Sequence, residues 1–184
     1  LVRKGRPRCQ EKSKEGGDRA YHFTSLALSV PTFVIRQVIF GRHARGQLWR
    51  FDDLEGQRIT AGERRAKYML FQTAKGTLLL HLGMSGSLRI VPPDTPWRKH
   101  DHFALTMDTG KQLRLHDPRR FGAALLIEGD PQKHKLLCDL GPEPLGNGFS
   151  ADTLAARFAG KAAPIKAVLL DQRNVAGLGN IYVS

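Results

Sequence analysis

Apolar positions along this chain fall in short runs with the length and spacing of strands, and the period lengthens only near the end. Residues 23–40 are rich in Val, Ile and Phe, which suit a pleated, half-buried surface. "YMLFQ", "TLLLHL" and "SLRIV" each have strand length, with "AKG" and "GMSG" as the turns between them. "HFALTMDTGKQLRLHD" predicts a hairpin, because Gly110 can take the positive φ that its short loop needs. "GAALLIEGD" adds another strand. Residues 140–150, "LGPEPLGNGFS", form a connector dense in Pro, Gly and Asn and mark a domain boundary. Beyond it, Ser150 is placed to cap a helix through "ADTLAARFAG", whose Leu154 and Phe158 share a face. Pro164 opens a second helix through "IKAVLLDQ". The pattern predicts an α+β chain: a β domain over 21–139, a linker over 140–150 and the start of a helical domain over 151–184. Residues 1–20 are polar and basic without an apolar period and are expected to be disordered.

Charge changes this picture from a generic fold to one with a partner. The 184 residues hold 29 Lys and Arg against 17 Asp and Glu, a formal net charge of +12. Basic side chains set against phosphates release condensed counterions, so a nucleic acid is the first explanation. An anionic membrane surface and a merely solvated basic surface compete with it. No apolar run approaches the roughly 20 residues needed to span a bilayer. A basic start before "FTSLALSV" has the outline of a secretory signal, but Arg19 and Tyr21-His22 interrupt it and Pro31 leads into strand-like sequence. Cys9 and Cys138 stand far apart and in no metal-ligand spacing. That argues against a disulfide framework or a four-ligand zinc site and fits a reducing compartment.

Several short stretches carry candidate chemistry. "VAGLGN", from Val175 to Asn180, lacks the preceding strand and third glycine of a dinucleotide fingerprint. It fits a joint between helices, with Asn180 as a cap and a phosphate at the helix start, or an ordinary glycine turn. "RRAKY" sets Arg64, Arg65 and Lys67 at the start of a strand, where alternation points Arg65 and Lys67 to one face. A charged edge strand is the alternative. "HLGMSG" puts Met84 at the tip of a glycine-flanked turn, an odd place for a core methionine. "KHDH" places His100 and His102 on one strand face, weak evidence for metal without a third ligand. In "HDPRRFG", Pro118 fixes a turn ahead of two arginines and Phe121. Arginine can pair with bases or phosphates and an aromatic can wedge between bases, although a salt-bridged turn with a core Phe fits as well.

Together, "RRAKYML", "LHLGMSGSLRI", "KHDHFALTM", "LHDPRRFGA", "LGPEPL" and "PIKAVLLDQRNVAGLGNIYVS" resemble formamidopyrimidine-DNA glycosylase, collinearly over residues 64–184. The resemblance implies a β-sandwich-like domain followed by a helix-two-turn-helix domain. It also implies DNA repair, by excision of 8-oxoguanine and formamidopyrimidines with lyase cleavage at the abasic site. Met84, Arg119 and Phe121 would fill the space left by the flipped nucleotide, a set that favours this family over endonuclease VIII. Lys67 would transfer protons in β-elimination; His100, Lys166 and Asn180, with Lys161, would contact the DNA backbone. The implied partner is duplex DNA containing oxidised purines or abasic sites, met by a monomer in the bacterial cytoplasm without a membrane. The family's nucleophile is an N-terminal proline followed by glutamate, whereas this chain starts Leu1-Val2-Arg3 and its Pro7 precedes Arg8. The family's four-cysteine zinc finger has no counterpart, so no metal or other cofactor is expected. These departures leave a catalytically impaired DNA-binding remnant as the alternative. A basic ribosomal RNA binder is a third reading, disfavoured because RNA readers display stacking aromatics on a sheet face.

Overall fold

Alternation in the apolar runs becomes a pair of antiparallel sheets. The computed structural model describes residues 26–28, 32–40 and 51–184. Among them, Leu26–Gly129 forms one compact unit and residues 130–184 belong to a second. The first unit contains β1 (Leu26–Leu28), β2 (Phe33–Phe40), β3 (Arg58–Ile59), β4 (Ala61–Arg65) and β5 (Tyr68–Thr73). It continues with β6 (Gly76–His81), β7 (Ser87–Val91), β8 (Asp101–Met107), β9 (Gln112–His116) and β10 (Ala123–Ile127). One sheet has the order β1-β4-β5-β6-β10 and the other β3-β2-β8-β9-β7. Phe71, Leu78 and Leu80 of the first sheet join Phe33, Ile35, Ile59, Phe103, Leu105 and Leu115 of the second in one core. Phe51 and Leu54, from a 3-10 turn at Asp52–Leu54, complete it. Burial of such side chains, worth about 1.5–3 kcal/mol each, is what holds the two sheets face to face.

The second sheet also buries charge. Arg114 on β9 is fully buried, and its guanidinium donates to Gln112 Oε1 at 2.8 Å and to the Pro93 and Pro96 carbonyls. It lies 4.8 Å from the centre of the Trp97 ring. Asp101 accepts from Arg89 at 2.9 Å, from His116 Nδ1 at 2.9 Å and from the Arg98 amide at 3.0 Å. Burial pushes the Asp101 carboxyl up, but these three donors outweigh it and hold the group below its usual range.

One strand start is displaced from its predicted place. Arg64 and Arg65 end β4, and Ala66-Lys67 form the two-residue turn to β5, with Arg65 paired to Tyr68. Ala66 takes φ 54°, stabilised in part by Arg64 Nη1 donating to its carbonyl at 2.8 Å. Arg65 is therefore buried and Lys67 exposed, so the two do not share a face.

The second unit holds α1 (Ala151–Phe158), α2 (Ile165–Leu170) and α3 (Asn180–Val183). Ser150 caps α1 as predicted, its Oγ accepting from the Thr153 amide at 3.1 Å. Residues 140–150 begin inside this unit: the Gly141 amide donates to Gln172 O at 2.8 Å and the Ala176 amide to Pro142 O at 2.9 Å.

Candidate nucleic-acid interface

In the β unit, three turns come together at the ends of β4, β6 and β9. The β6–β7 turn carries Met84 at its tip, 73% exposed, between Gly83 and Gly86. Gly83 has φ +64°, and a Cβ there would lie 2.6 Å from the Phe121 carbonyl carbon and 2.7 Å from the Gly122 nitrogen. The main chains of the Met84 turn and the Phe121 loop therefore touch directly, which only glycine permits. Phe121 itself is 62% exposed, and Arg119 is exposed beside it. Two apolar side chains thus stand in solvent on adjoining turns when a core was available.

Asp117 fixes the second of these loops. Its buried carboxylate accepts from the Arg120 amide at 3.1 Å and from the Gly122 amide at 2.7 Å. Arg120 is held at φ 57°, an uncommon conformation for a side-chain-bearing residue. Gly122 is confined as well, since a Cβ would meet Asp117 Oδ2 and the His81 carbonyl, each at 2.8 Å. The conformation of this loop is therefore fixed by contacts within the β unit.

The histidines lie along the same edge. The Asp117 amide donates to the His100 carbonyl at 2.9 Å, and His102 Nε2 pairs with the Asp117 carbonyl at 3.1 Å. The His100 ring stands edge-on to His102 at 6.2 Å and to His116 at 5.9 Å. Burial, reinforced by the Arg120 charge, pushes His102 below its usual value. Among the described residues no three His, Cys, Asp or Glu gather as metal ligands. Lys67 is exposed on the β4–β5 turn, and its charge acts on the ring of His81 at the end of β6.

The second unit assembles its own polar surface around "VAGLGN". Gln172 staples the turn: Nε2 donates to the Leu178 carbonyl at 2.7 Å and Oε1 accepts from the Gly177 amide at 2.8 Å. Asn174 Nδ2 donates to the Val168 carbonyl at 2.8 Å, and Gly177 takes φ 86°. Lys166 Nζ reaches Ser184 Oγ at 3.3 Å, and that hydroxyl donates to the Asn180 carbonyl at 2.7 Å. Lys166 and Asn180 are thus brought together, and both are exposed. Asn180 is not the cap of α3, as its spacing had suggested; Gly179 occupies that position without a side-chain bond. Lys161 is exposed, close enough for its charge to help lower Asp171, whose main partner is Arg173.

Two family models match. The formamidopyrimidine-DNA glycosylase N-terminal domain covers residues 30–124, and the formamidopyrimidine-DNA glycosylase H2TH domain covers residues 140–184. The chain belongs to the formamidopyrimidine-DNA glycosylase family. The formamidopyrimidine-DNA glycosylase of Stenotrophomonas maltophilia strain R551-3 is 54% identical over 131 residues, 71% of this chain and 48% of the relative. That of Shewanella baltica strain OS195 is 48% identical over 161 residues, 84% of this chain and 59% of the relative. This chain therefore spans about half the length of the curated relatives it matches. The Lactococcus lactis enzyme, solved with DNA containing an abasic site, aligns with TM-score 0.74 at 34% identity, over 82% of this chain and 60% of that one. The Thermus thermophilus protein aligns with TM-score 0.70 at 40% identity, over 84% of this chain and 56% of that one. The α+β architecture of a β sandwich and a helix-two-turn-helix segment is that of the family. Gln172, Asn174, Asp117 and His81 escaped the sequence reading, since nothing local to a Gln, an Asn, an Asp or a His announces which distant backbone group it will bond.

Proposed function

We propose that this chain probes duplex DNA for oxidised purines and abasic sites, as part of a base-excision repair glycosylase with lyase activity. The observation that carries the proposal is the pair of exposed apolar side chains, Met84 and Phe121, on turns whose backbones are in contact. Extruding a nucleotide costs a few kcal/mol in lost stacking. Burying a Phe or Met side chain returns about 1.5–3 kcal/mol each, so two inserted together offset most of that cost. Arg119, beside Phe121, would face the base left without its partner, since a guanidinium can bond a base edge in two places. Wedging discriminates because intact stacks resist insertion while a damaged or abasic step has already lost part of its stacking.

Lys67, His100, Lys161, Lys166 and Asn180 complete the reading. Lys67 would move the proton during β-elimination, from a turn that presents it to solvent. His100 in the β unit and Lys161, Lys166 and Asn180 in the helical unit would hold phosphates. Solved relatives at 34% identity were captured with DNA containing an abasic site and with DNA containing a formamidopyrimidine lesion, which supports this substrate class. The +12 charge supports a phosphate-dominated affinity.

Binding of the purified chain to duplexes that are intact, or that carry a tetrahydrofuran abasic analogue or 8-oxoguanine, tests the proposal over a range of salt. Affinity should fall steeply with salt on every duplex. Phe121→Ala and Arg119→Ala should weaken binding to damaged duplexes more than to intact DNA. Strand cleavage at a preformed abasic site should drop in Lys67→Ala. Equal losses on all duplexes would reduce these residues to phosphate contacts, and a salt slope near zero would remove the electrostatic argument.

A further inference from the structure

One side chain, His81, braces the Met84 turn where it meets the Phe121 loop. It ends β6, half-buried, with its ring centre 4.9 Å from that of Tyr68. Its Nδ1 accepts from the Gly83 amide at 3.2 Å, and the Gly83 backbone in turn lies against the Phe121 main chain. A neutral imidazole has one nitrogen that accepts and one that donates. The Gly83 bond therefore requires the tautomer with its proton on Nε2.

We propose that His81 is a positioning residue: as a neutral ring it holds the Met84 turn in register with the Phe121 loop, and protonation releases the Met84 turn. The inference rests on the reading of Met84 and Phe121 as probes. Protonation would place an N–H on Nδ1, facing the Gly83 N–H, so that bond turns from donor–acceptor into donor–donor. The Phe121 loop is fastened separately, by Asp117 through the Arg120 and Gly122 amides. Release is thus one-sided, affecting Met84 and sparing Phe121.

The groups facing the ring set where this happens. Burial is the main influence and pushes His81 below its ordinary value; the nearby Phe121 backbone opposes it. Lys67, from the β4–β5 turn, adds to the lowering, and Asp117, from the end of β9, works against it. Tyr68 on β5 stacks on the ring as a neutral phenol, its own pKa raised by burial. Neutral pH accordingly finds the coupled form populated, and acidification uncouples it.

The test uses the intact chain and two substitutions. His81→Gln keeps an acceptor without a titrating group; His81→Phe keeps the ring shape without the acceptor. The ratio of affinities for a tetrahydrofuran-containing duplex and an intact duplex is measured between pH 5.5 and 8, beside the amide NMR shifts of Gly83 and Gly122. In the wild type the ratio should fall about five- to tenfold on acidification, the worth of about one hydrogen bond. The Gly83 amide should follow the same titration while Gly122 stays still. His81→Gln should give a high, flat ratio and His81→Phe a low ratio at every pH. Met84→Ala should remove the pH dependence, and Phe121→Ala should leave it. A pH dependence that persists in His81→Gln assigns it to another group and overturns the proposal, as does a wild-type ratio in folded His81→Phe. If His81→Phe does not fold, the contrast between the wild type and His81→Gln decides alone. A wild type with no preference for the abasic duplex overturns the probe reading, and is told apart because the Gly83 titration is read without DNA.

Discussion

Gly83→Ala perturbs the close approach of the Met84 turn and the Phe121 loop at its tightest point. The added methyl group has two consequences that can be costed separately. At φ +64° a residue with a Cβ is strained by about 1–2 kcal/mol relative to glycine. The Cβ would also sit 2.6 Å from the Phe121 carbonyl carbon, 2.7 Å from the Gly122 nitrogen and 2.9 Å from the Phe121 Cβ. The first two are backbone atoms, held by the Asp117 bonds to Arg120 and Gly122, so they cannot swing aside as a side-chain tip would. Overpacking of this kind typically adds about 1–3 kcal/mol. The sum, about 2–5 kcal/mol, should lower the melting temperature by roughly 10–25 °C for a unit near 100 residues. Gly110→Ala is the control. It has φ +76° but nothing within 4 Å of its Cβ, so it should show the strain alone. Thermal unfolding followed by circular dichroism measures both, and binding to an abasic duplex reports whether Phe121 has moved. Equal costs at the two glycines would refute the direct backbone contact, and with it the idea that the two probes form one wedge.

Asp101→Asn should cost about 3 kcal/mol, because it strips compensation from Arg89 and from the fully buried Arg114. The folded-state pKa of Asp101 lies below its unfolded value, so its stabilisation is present above the unfolded pKa and lost as pH falls through the folded one. Acid titration of stability should therefore be shallower at low pH in Asp101→Asn, and an unchanged acid limb would contradict the ion cluster. Asn174→Ala should cost about 1–3 kcal/mol by leaving the Val168 carbonyl without its donor. Hydrogen exchange should then quicken at the amides around Gly177, and protection equal to the wild type would show that Gln172 alone holds the turn.

Much of this protein could be read from the order of its residues, for a local reason. Strands β5 to β9 follow from runs of period two broken by glycines, and the cap at Ser150 follows from a hydroxyl three residues ahead of a free amide. Met84 and Phe121 stood out because glycine and proline flank them, which marks turns whatever the tertiary context. Tertiary structure alone decided the rest. Ala66 carries no turn signal, yet the β4–β5 reversal forces it to positive φ and turns Lys67 outward from a supposed strand. Nothing local to Arg114 or Asp101 announces their burial, which follows because carbonyls, a ring and counter-charges from β7, β9 and the loop before β8 converge on them. Asn180 lost its predicted cap to Gly179, since the Gln172 staple sets where the turn ends. His81 was hidden at the end of an apolar run, and its role follows from its bond to the Gly83 amide and the approach of Gly83 to the Phe121 loop, which only the folded β unit creates. Period and turn chemistry act between neighbours along the chain and survive in the sequence; a hydrogen bond between distant segments exists only once the sheets have closed.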